Sequence, residues 1–436
     1  MNVAGFLRDQ VTGRRTEMGD LMQHTQVRAT AGTAGVNVAI MLVGSIGGLF
    51  LARALGPTHR GDLVTILQWP AMIGAVVSLG ITQSTCYWIA RSPARAVQLM
   101  STAVAASLAT GVVIAALGPW LAAVIGRNGE VRGDLALVLA LTPVYITGGV
   151  WISALQATSF SEWNFARMVQ PVVYFVAVVG LWISGHLTLI TVVAAFALSL
   201  TGQTLYAAGV ARRIVGRHTR PDPSLLGPLY GYGTKVSLSS VPQLVNISVD
   251  QLILSVMPSV VAAQLGNYAV AVSLSWLALP AATAFGSVAF PRLARIAGGD
   301  GSRRIEQLSL VGAGLTAAVT IGAVCVLAPL FVPALFGRGY RDAVFALWLL
   351  APGTVFLALN RVLGDLLQGR GRPLVRSAGE GLGAILTIIL LIVLIPLFGI
   401  RGAAAASSVT YASVFLFLFL GLRRVRHQAA AGVGSE

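Results

Sequence analysis

Along the 436-residue chain, polar positions arrive in short bursts between long apolar runs, each near the roughly 20 residues an α-helix needs to cross a bilayer. The runs fall near 29–53, 62–90, 96–125, 134–156, 164–184, 188–211, 230–257, 262–290, 306–336, 342–368, 374–397 and 401–422. This pattern predicts twelve membrane-spanning helices. None of the runs has the alternating polar and apolar register of a membrane β-barrel, so the fold class is an all-α integral membrane protein. The longest internal polar break, Arg212 to Pro228, splits the spans six and six and has the proline and charge content of a linker. The expected organisation is a cytoplasmic segment 1–28, an N-lobe 29–211, a linker 212–228, a C-lobe 229–422 and a tail 423–436. Because six is even, both lobes start from the same side, which places any shared site between them.

Composition narrows the class further. The chain is 56% hydrophobic and 10% charged, where soluble domains carry about 25% charged residues, so most soluble enzyme folds are excluded. The net charge of +15 comes from 29 arginines, one lysine and 15 acids. Counted by loop, 21 arginines fall on the side of both termini and 7 on the other. By the positive-inside rule the termini are expected to be cytoplasmic. The basic balance is therefore a topology signal, and no nucleic-acid partner is expected. Residues 1–27 lack the apolar core of a cleavable signal peptide. Cys86 and Cys325 sit in separate spans with no metal-ligand spacing, and the five histidines are scattered. There is no GxxxxGK[ST] loop and no HExxH helix, which points away from an enzyme and from direct ATP drive.

Ionisable groups inside apolar spans are expensive and so become functional candidates. Lys235 and Arg361 are the cations of this kind, with a snorkelling alternative for Lys235 and a local Asp365 pair at i+4 for Arg361. Arg28, Arg53 and Arg60 are candidate rims at the two mouths of a cavity, with interfacial anchoring as the alternative. The intramembrane acids Asp250, Asp365 and Glu380 are candidates for H+ or Na+ coupling, and Asp250 stands near mid-span beside Asn246 and Gln251. Glu380 has Arg376 within reach at i−4. Tyr268 and Trp276 are candidates for stacking on sugar rings.

Several motifs occur in order. The first helix ends in Ala52-Arg53-Ala54-Leu55-Gly56-Pro57, followed by Gly61. The seventh span carries Asp250-Gln251-Leu252, then Gly266-Asn267-Tyr268 and Phe290-Pro291-Arg292-Leu293. Later come Leu335-Phe336-Gly337, Gln368-Gly369-Arg370-Gly371-Arg372-Pro373 and Ile395-Pro396-Leu397-Phe398-Gly399. This series resembles the Wzx-like oligosaccharide-lipid and polysaccharide flippases of the multidrug/oligosaccharidyl-lipid/polysaccharide exporter superfamily. The resemblance implies a V of two six-helix lobes around a central cavity, alternating access, and no cofactor. It implies a polyprenyl-pyrophosphate-linked glycan as substrate, contact with membrane lipids, and contacts with polysaccharide polymerase machinery. Lipid II flippases of the superfamily have 14 spans and an Arg-Asp pair in the first helix, where this chain has Gly47-Gly48. The rival reading is a multidrug/cation antiporter of the same fold class, which would need acids and aromatics dominating its cavity.

Overall fold

The computed structural model describes the backbone of residues 3–217, 219–295, 300–370 and 372–432, and side chains for most of residues 32–425. Among the described residues there are helices and no strands. In chain order they are α1 (Val3–Val77), α2 (Ile81–Arg91), α3 (Ala96–Ile125), α4 (Gly129–Ala140), α5 (Thr142–Thr158), α6 (Phe160–Ile183), α7 (Leu189–Ile214), α8 (Leu226–Val256), α9 (Ala262–Ser275), α10 (Leu279–Arg295), α11 (Asp300–Leu335), α12 (Arg341–Gly369) and α13 (Pro373–Gly432). Nine continuous stretches among the described residues are long and apolar enough to cross a membrane. Two of them, within α1 and α13, each hold two crossings, because the helix breaks at Gly56 (φ 69°) and Gly399 (φ 56°). A positive φ costs glycine nothing, so these residues turn a helix back on itself without a loop. Thr33 and Gly74, on opposite sides of the Gly56 break, line one cavity, although a straight helix would hold them roughly 60 Å apart. With α8 added the crossings number twelve, as the hydropathy pattern predicts.

Proline and glycine divide other crossings into paired helices, α4 with α5 and α9 with α10. The break between α1 and α2 at Leu79 and Gly80, both at positive φ, comes in mid-crossing. Interior packing separates into two lobes. One group of buried side chains includes Leu63, Leu135, Leu139 and Val192, and a second Met100, Val150 and Leu155, all from the first half of the chain. The others centre on Tyr268, Leu347 and Leu391, and on Leu363, Leu366 and Leu418, from the second half. Large apolar side chains elsewhere point outward, such as Leu205 at 68% and Leu330 at 75% exposure, the surface a lipid-facing helix presents.

Between α7 and α8 the connection is tied to the lobe before it. The Thr219 amide donates to Ser101 Oγ at 3.1 Å and the Asp222 amide to Thr102 Oγ1 at 2.9 Å. The Asp222 carboxylate accepts from the Ser224 hydroxyl at 2.6 Å and amide at 3.0 Å. Those donors hold its carboxyl below the usual carboxylate range.

On the face away from the termini the lobes touch backbone to backbone. A Cβ on Gly61 would stand 1.9 Å from the Ala262 carbonyl oxygen, and one on Gly266 2.0 Å from that of Pro57. Only glycine permits this crossing of α1 and α9.

Candidate functional site: a neutral polar cavity with one arginine

A cavity of about 710 Å³ opens between α1, α2, α5, α6 and α7 of the first lobe and α8 of the second. It lies in the membrane half nearer the termini, because it takes the start of the first crossing (Thr33, Asn37), the end of α5 (Ser153, Gln156) and the start of α6 (Trp163, Arg167). The residues reach it by helical spacing. On α5, Tyr145, Gly149, Ile152, Ser153 and Gln156 share one face, and on α8 Ser237, Ser240, Val241 and Leu244 do the same. Gln83, Gln203 and Thr204 complete a lining of amides and hydroxyls.

Arg167 is the cation among the lining residues, and none of them is an acid. Its guanidinium donates to Asn37 Oδ1 at 2.7 Å and sits 4.5 Å from the Trp163 ring centroid. Next to it Asn164 donates to Thr33 Oγ1 at 3.0 Å, and Gln203 donates to the Ala166 carbonyl at 2.9 Å. The arginine is thus aimed by neutral partners and keeps its full charge for a visitor. Chemically, the cavity offers hydrogen bonds to a polyhydroxylated group and one strong, planar contact to an anion.

The sequence candidates distribute differently. Lys235 is exposed and lies on the side of α8 away from Ser237, Ser240 and Val241, so it is not among the lining residues. Arg361 instead sits in the second lobe, in a cavity of about 10 Å³ with Asn246, Asn360, Glu380 and Tyr411, about room for one water. Arg361 is attracted by Glu380 and also by Asp365, while Asp365 lies 3.4 Å from Arg376 and Glu380 accepts from Asn246 Nδ2 at 2.8 Å. Asp250 is 4% exposed and accepts the Tyr268 hydroxyl at 2.6 Å, and Tyr268 is itself fully buried, which leaves its ring no face for a sugar. Trp276 is 41% exposed and outside the cavity lining. Arg53 donates to the Ala334 carbonyl at 3.0 Å on the far face, and Arg60 lies on that face beside Tyr174 and Tyr340. The side chain of Arg28 lies outside the described residues.

Sequence reasoning read Arg167 as one more loop arginine, because it falls three residues into the predicted span. A usable signal was present in the polar stripe of α5 and in the Trp-Asn-Phe-Ala-Arg run of residues 163–167.

The family model described as polysaccharide biosynthesis protein matches residues 27–297, more than half of the sequence. The chain belongs to that family. Over 297 residues it is 21% identical to the probable low-salt glycan biosynthesis flippase of Haloferax volcanii, covering 65% of this chain and 60% of that one. Over 95 residues it is 35% identical to an uncharacterized membrane protein of Methanocaldococcus jannaschii, covering 22% and 19% of the two. The matches thus span less than two thirds of those relatives' own lengths. Among solved structures, the inward-facing conformation of a multidrug resistance MATE family transporter of the MOP superfamily superimposes with TM-score 0.75 at 17% identity, over 92% of this chain and 99% of that one. The lipid II flippase MurJ in its inward closed conformation gives 0.75 at 11% identity, over 92% and 90%. An outward-facing MATE conformation gives 0.58 at 16% identity, over 93% and 95%. The protein has the fold of these transporters.

Proposed function

We propose that the protein carries a polyprenyl-pyrophosphate-linked oligosaccharide from the cytoplasmic to the outer leaflet of a bacterial inner membrane, for assembly of a cell-surface polysaccharide. The single observation that carries this reading is the set of polar groups that the described residues bring to the 710 Å³ cavity: amides, hydroxyls and one arginine, with no carboxylate among them. Moving a charged headgroup through about 30 Å of hydrocarbon requires a polar route that replaces its hydration. Arg167 supplies a planar, bidentate donor for phosphate, and Gln83, Gln156 and Gln203 supply partners for sugar hydroxyls. A carrier of lipophilic cations would instead need an acid here, so the antiporter reading is the weaker one. The glycan flippase relative and the family description support the substrate class.

The arginine count puts the termini, and with them the cavity's open half, on the cytoplasmic side. Lobes bounded at 29–211 and 229–422, with the 212–228 linker between them, rock to expose the cavity to each leaflet in turn. Asp250 is the coupling candidate, since it is a carboxylate buried in the second lobe with a neutral hydroxyl as its donor. Asp365 and Glu380 serve the packing of that lobe through Arg376, Asn246 and Arg361.

The test is mass spectrometry of lipid-linked sugars in cells depleted of the protein, with a membrane-impermeant probe reporting their leaflet. One lipid-linked oligosaccharide should accumulate facing the cytoplasm. Unchanged lipid-linked sugars with raised sensitivity to cationic drugs would favour the antiporter instead.

A further inference from the structure

On the face opposite the termini, three arginines of the first lobe reach the boundary with the second, and they are not equivalent. Arg127, in the short connection between α3 and α4, donates to carbonyls at and just past the end of α8: Ser255 at 2.6 Å, Leu254 at 2.5 Å, Met257 at 3.4 Å, and Val260 in the α8–α9 connection at 2.5 Å. Arg53 donates to Ala334 at 3.0 Å and Leu335 at 3.3 Å, the end of α11. Both guanidinium groups therefore occupy the orphan carbonyls of a helix C-terminus, the negative end of its dipole, across the lobe boundary. They act as latches. Tyr340 adds a third tie, its hydroxyl donating to the Ala52 carbonyl at 2.9 Å.

Arg60 has no such partner. Its Nε is buried with nothing to donate to, and the neighbouring Tyr174 hydroxyl is buried and unpartnered as well. The groups acting on this guanidinium are two neutral phenols, Tyr174 of the first lobe and Tyr340 of the second, and no carboxylate is among them. Asp62, two residues on, faces His59 at 3.7 Å and Arg127 instead. A guanidinium Nε and a phenol hydroxyl that are both buried without acceptors are costly unless something arrives to satisfy them.

We propose that Arg60 and Tyr174 form a second anion site, which takes phosphate oxygens of the diphosphate headgroup when Arg127 and Arg53 let go of the second lobe. This rests on the flippase reading and gives it two stations: Arg167 loads the headgroup near the termini, and Arg60 receives it on the far face. In the closed form the latches hold the two lobes together beside Arg60. Once they release, the guanidinium gains a diphosphate contact, which favours the open form while the headgroup is present.

The experiment uses the full chain in nanodiscs of zwitterionic lipid, with Cys86→Ser and Cys325→Ser and spin labels at Val124→Cys and Leu397→Cys. These two exposed positions stand on the two lobes near the far face. Inorganic pyrophosphate is the probe, and the label separation is the readout. Pyrophosphate should lengthen the separation, and Arg60→Gln or Tyr174→Phe should require about tenfold more of it, the loss of one charge-assisted contact. Arg60→Lys, which keeps the charge and loses the fork, should fall between. Arg127→Gln should lengthen the separation without pyrophosphate, and Arg127→Lys should do so in part. The inference is overturned if pyrophosphate leaves the wild-type separation unchanged, if sulfate at equal ionic strength acts equally, or if Arg60→Gln responds as wild type does. Opening by anionic phospholipid alone would overturn the assignment to the substrate headgroup. None of these readouts involves flipping, so the flippase reading stands or falls separately on Arg167.

Discussion

The two lobes share an architecture and spend their polar groups in opposite ways. In the second lobe most charges are consumed internally: Arg370 pairs with the fully buried Glu306, Arg376 with Asp365, and Asp250 with Tyr268, while the Arg361 Nε is buried without an acceptor. Asn246 collects Glu380, Thr387 and the Tyr411 hydroxyl around one backbone turn. The first lobe leaves its polar groups facing a void of about 710 Å³. Satisfied polar networks rigidify a core, and unsatisfied ones wait for a ligand. On the proposed function, the second lobe serves as scaffold and the first lobe takes the substrate.

The largest effect expected is on the fold of the second lobe. Arg370→Met strips the buried Glu306 carboxylate of this cation and should cost about 3–5 kcal/mol of stability, read as a large fall in thermal midpoint in detergent. If the midpoint holds, the second lobe is not the charge-consuming scaffold described. Arg167→Gln should do the reverse, with an unchanged midpoint and transport reduced by about tenfold or more, the worth of one charge-assisted contact to phosphate. Next in size, Tyr268→Phe leaves the Asp250 carboxylate without its side-chain donor, and should lower stability by about 1–3 kcal/mol with cavity binding intact. A change in substrate affinity instead would place Tyr268 in the substrate path.

Asp222 sharpens the comparison at its smallest scale. Its carboxyl is held below the ordinary aspartate range by Ser224, so the ionised form is favoured in the folded chain. Its contribution is present above the unfolded aspartate range and is lost as the pH falls through the lowered value. Asp222→Asn should remove only that acid-side decline, seen as a flatter thermal midpoint profile on acidification.

Much of this was legible in the sequence, for a physical reason. Hydrocarbon thickness fixes the length of a crossing and forbids unpaired backbone, so run lengths alone gave twelve spans. The Gly56 and Gly399 hairpins could also be read, since each lies in a glycine and proline cluster between apolar runs. The site was less visible. Lys235 and Arg361 drew attention because a cation in an apolar run is costly, yet hydropathy does not report which side of a helix a residue occupies. One faces away from the cavity and the other meets Glu380, a residue 19 positions along the chain. Arg167 was hidden by its place near a helix start, where arginine is ordinary, and only the packing of α1 against α6 turns it inward. Arg127 was equally silent, because its acceptors are backbone carbonyls more than 120 residues away.

The most direct test of the account is flipping of a purified lipid-linked oligosaccharide in proteoliposomes, with glycan exposure followed by an impermeant probe. Wild-type protein should equilibrate the glycan between leaflets, while stably folded Arg167→Gln should slow equilibration by about tenfold or more and Arg167→Lys by less. Equal rates for wild type and Arg167→Gln would contradict the claim that this cavity, through its one arginine, is where the substrate is held.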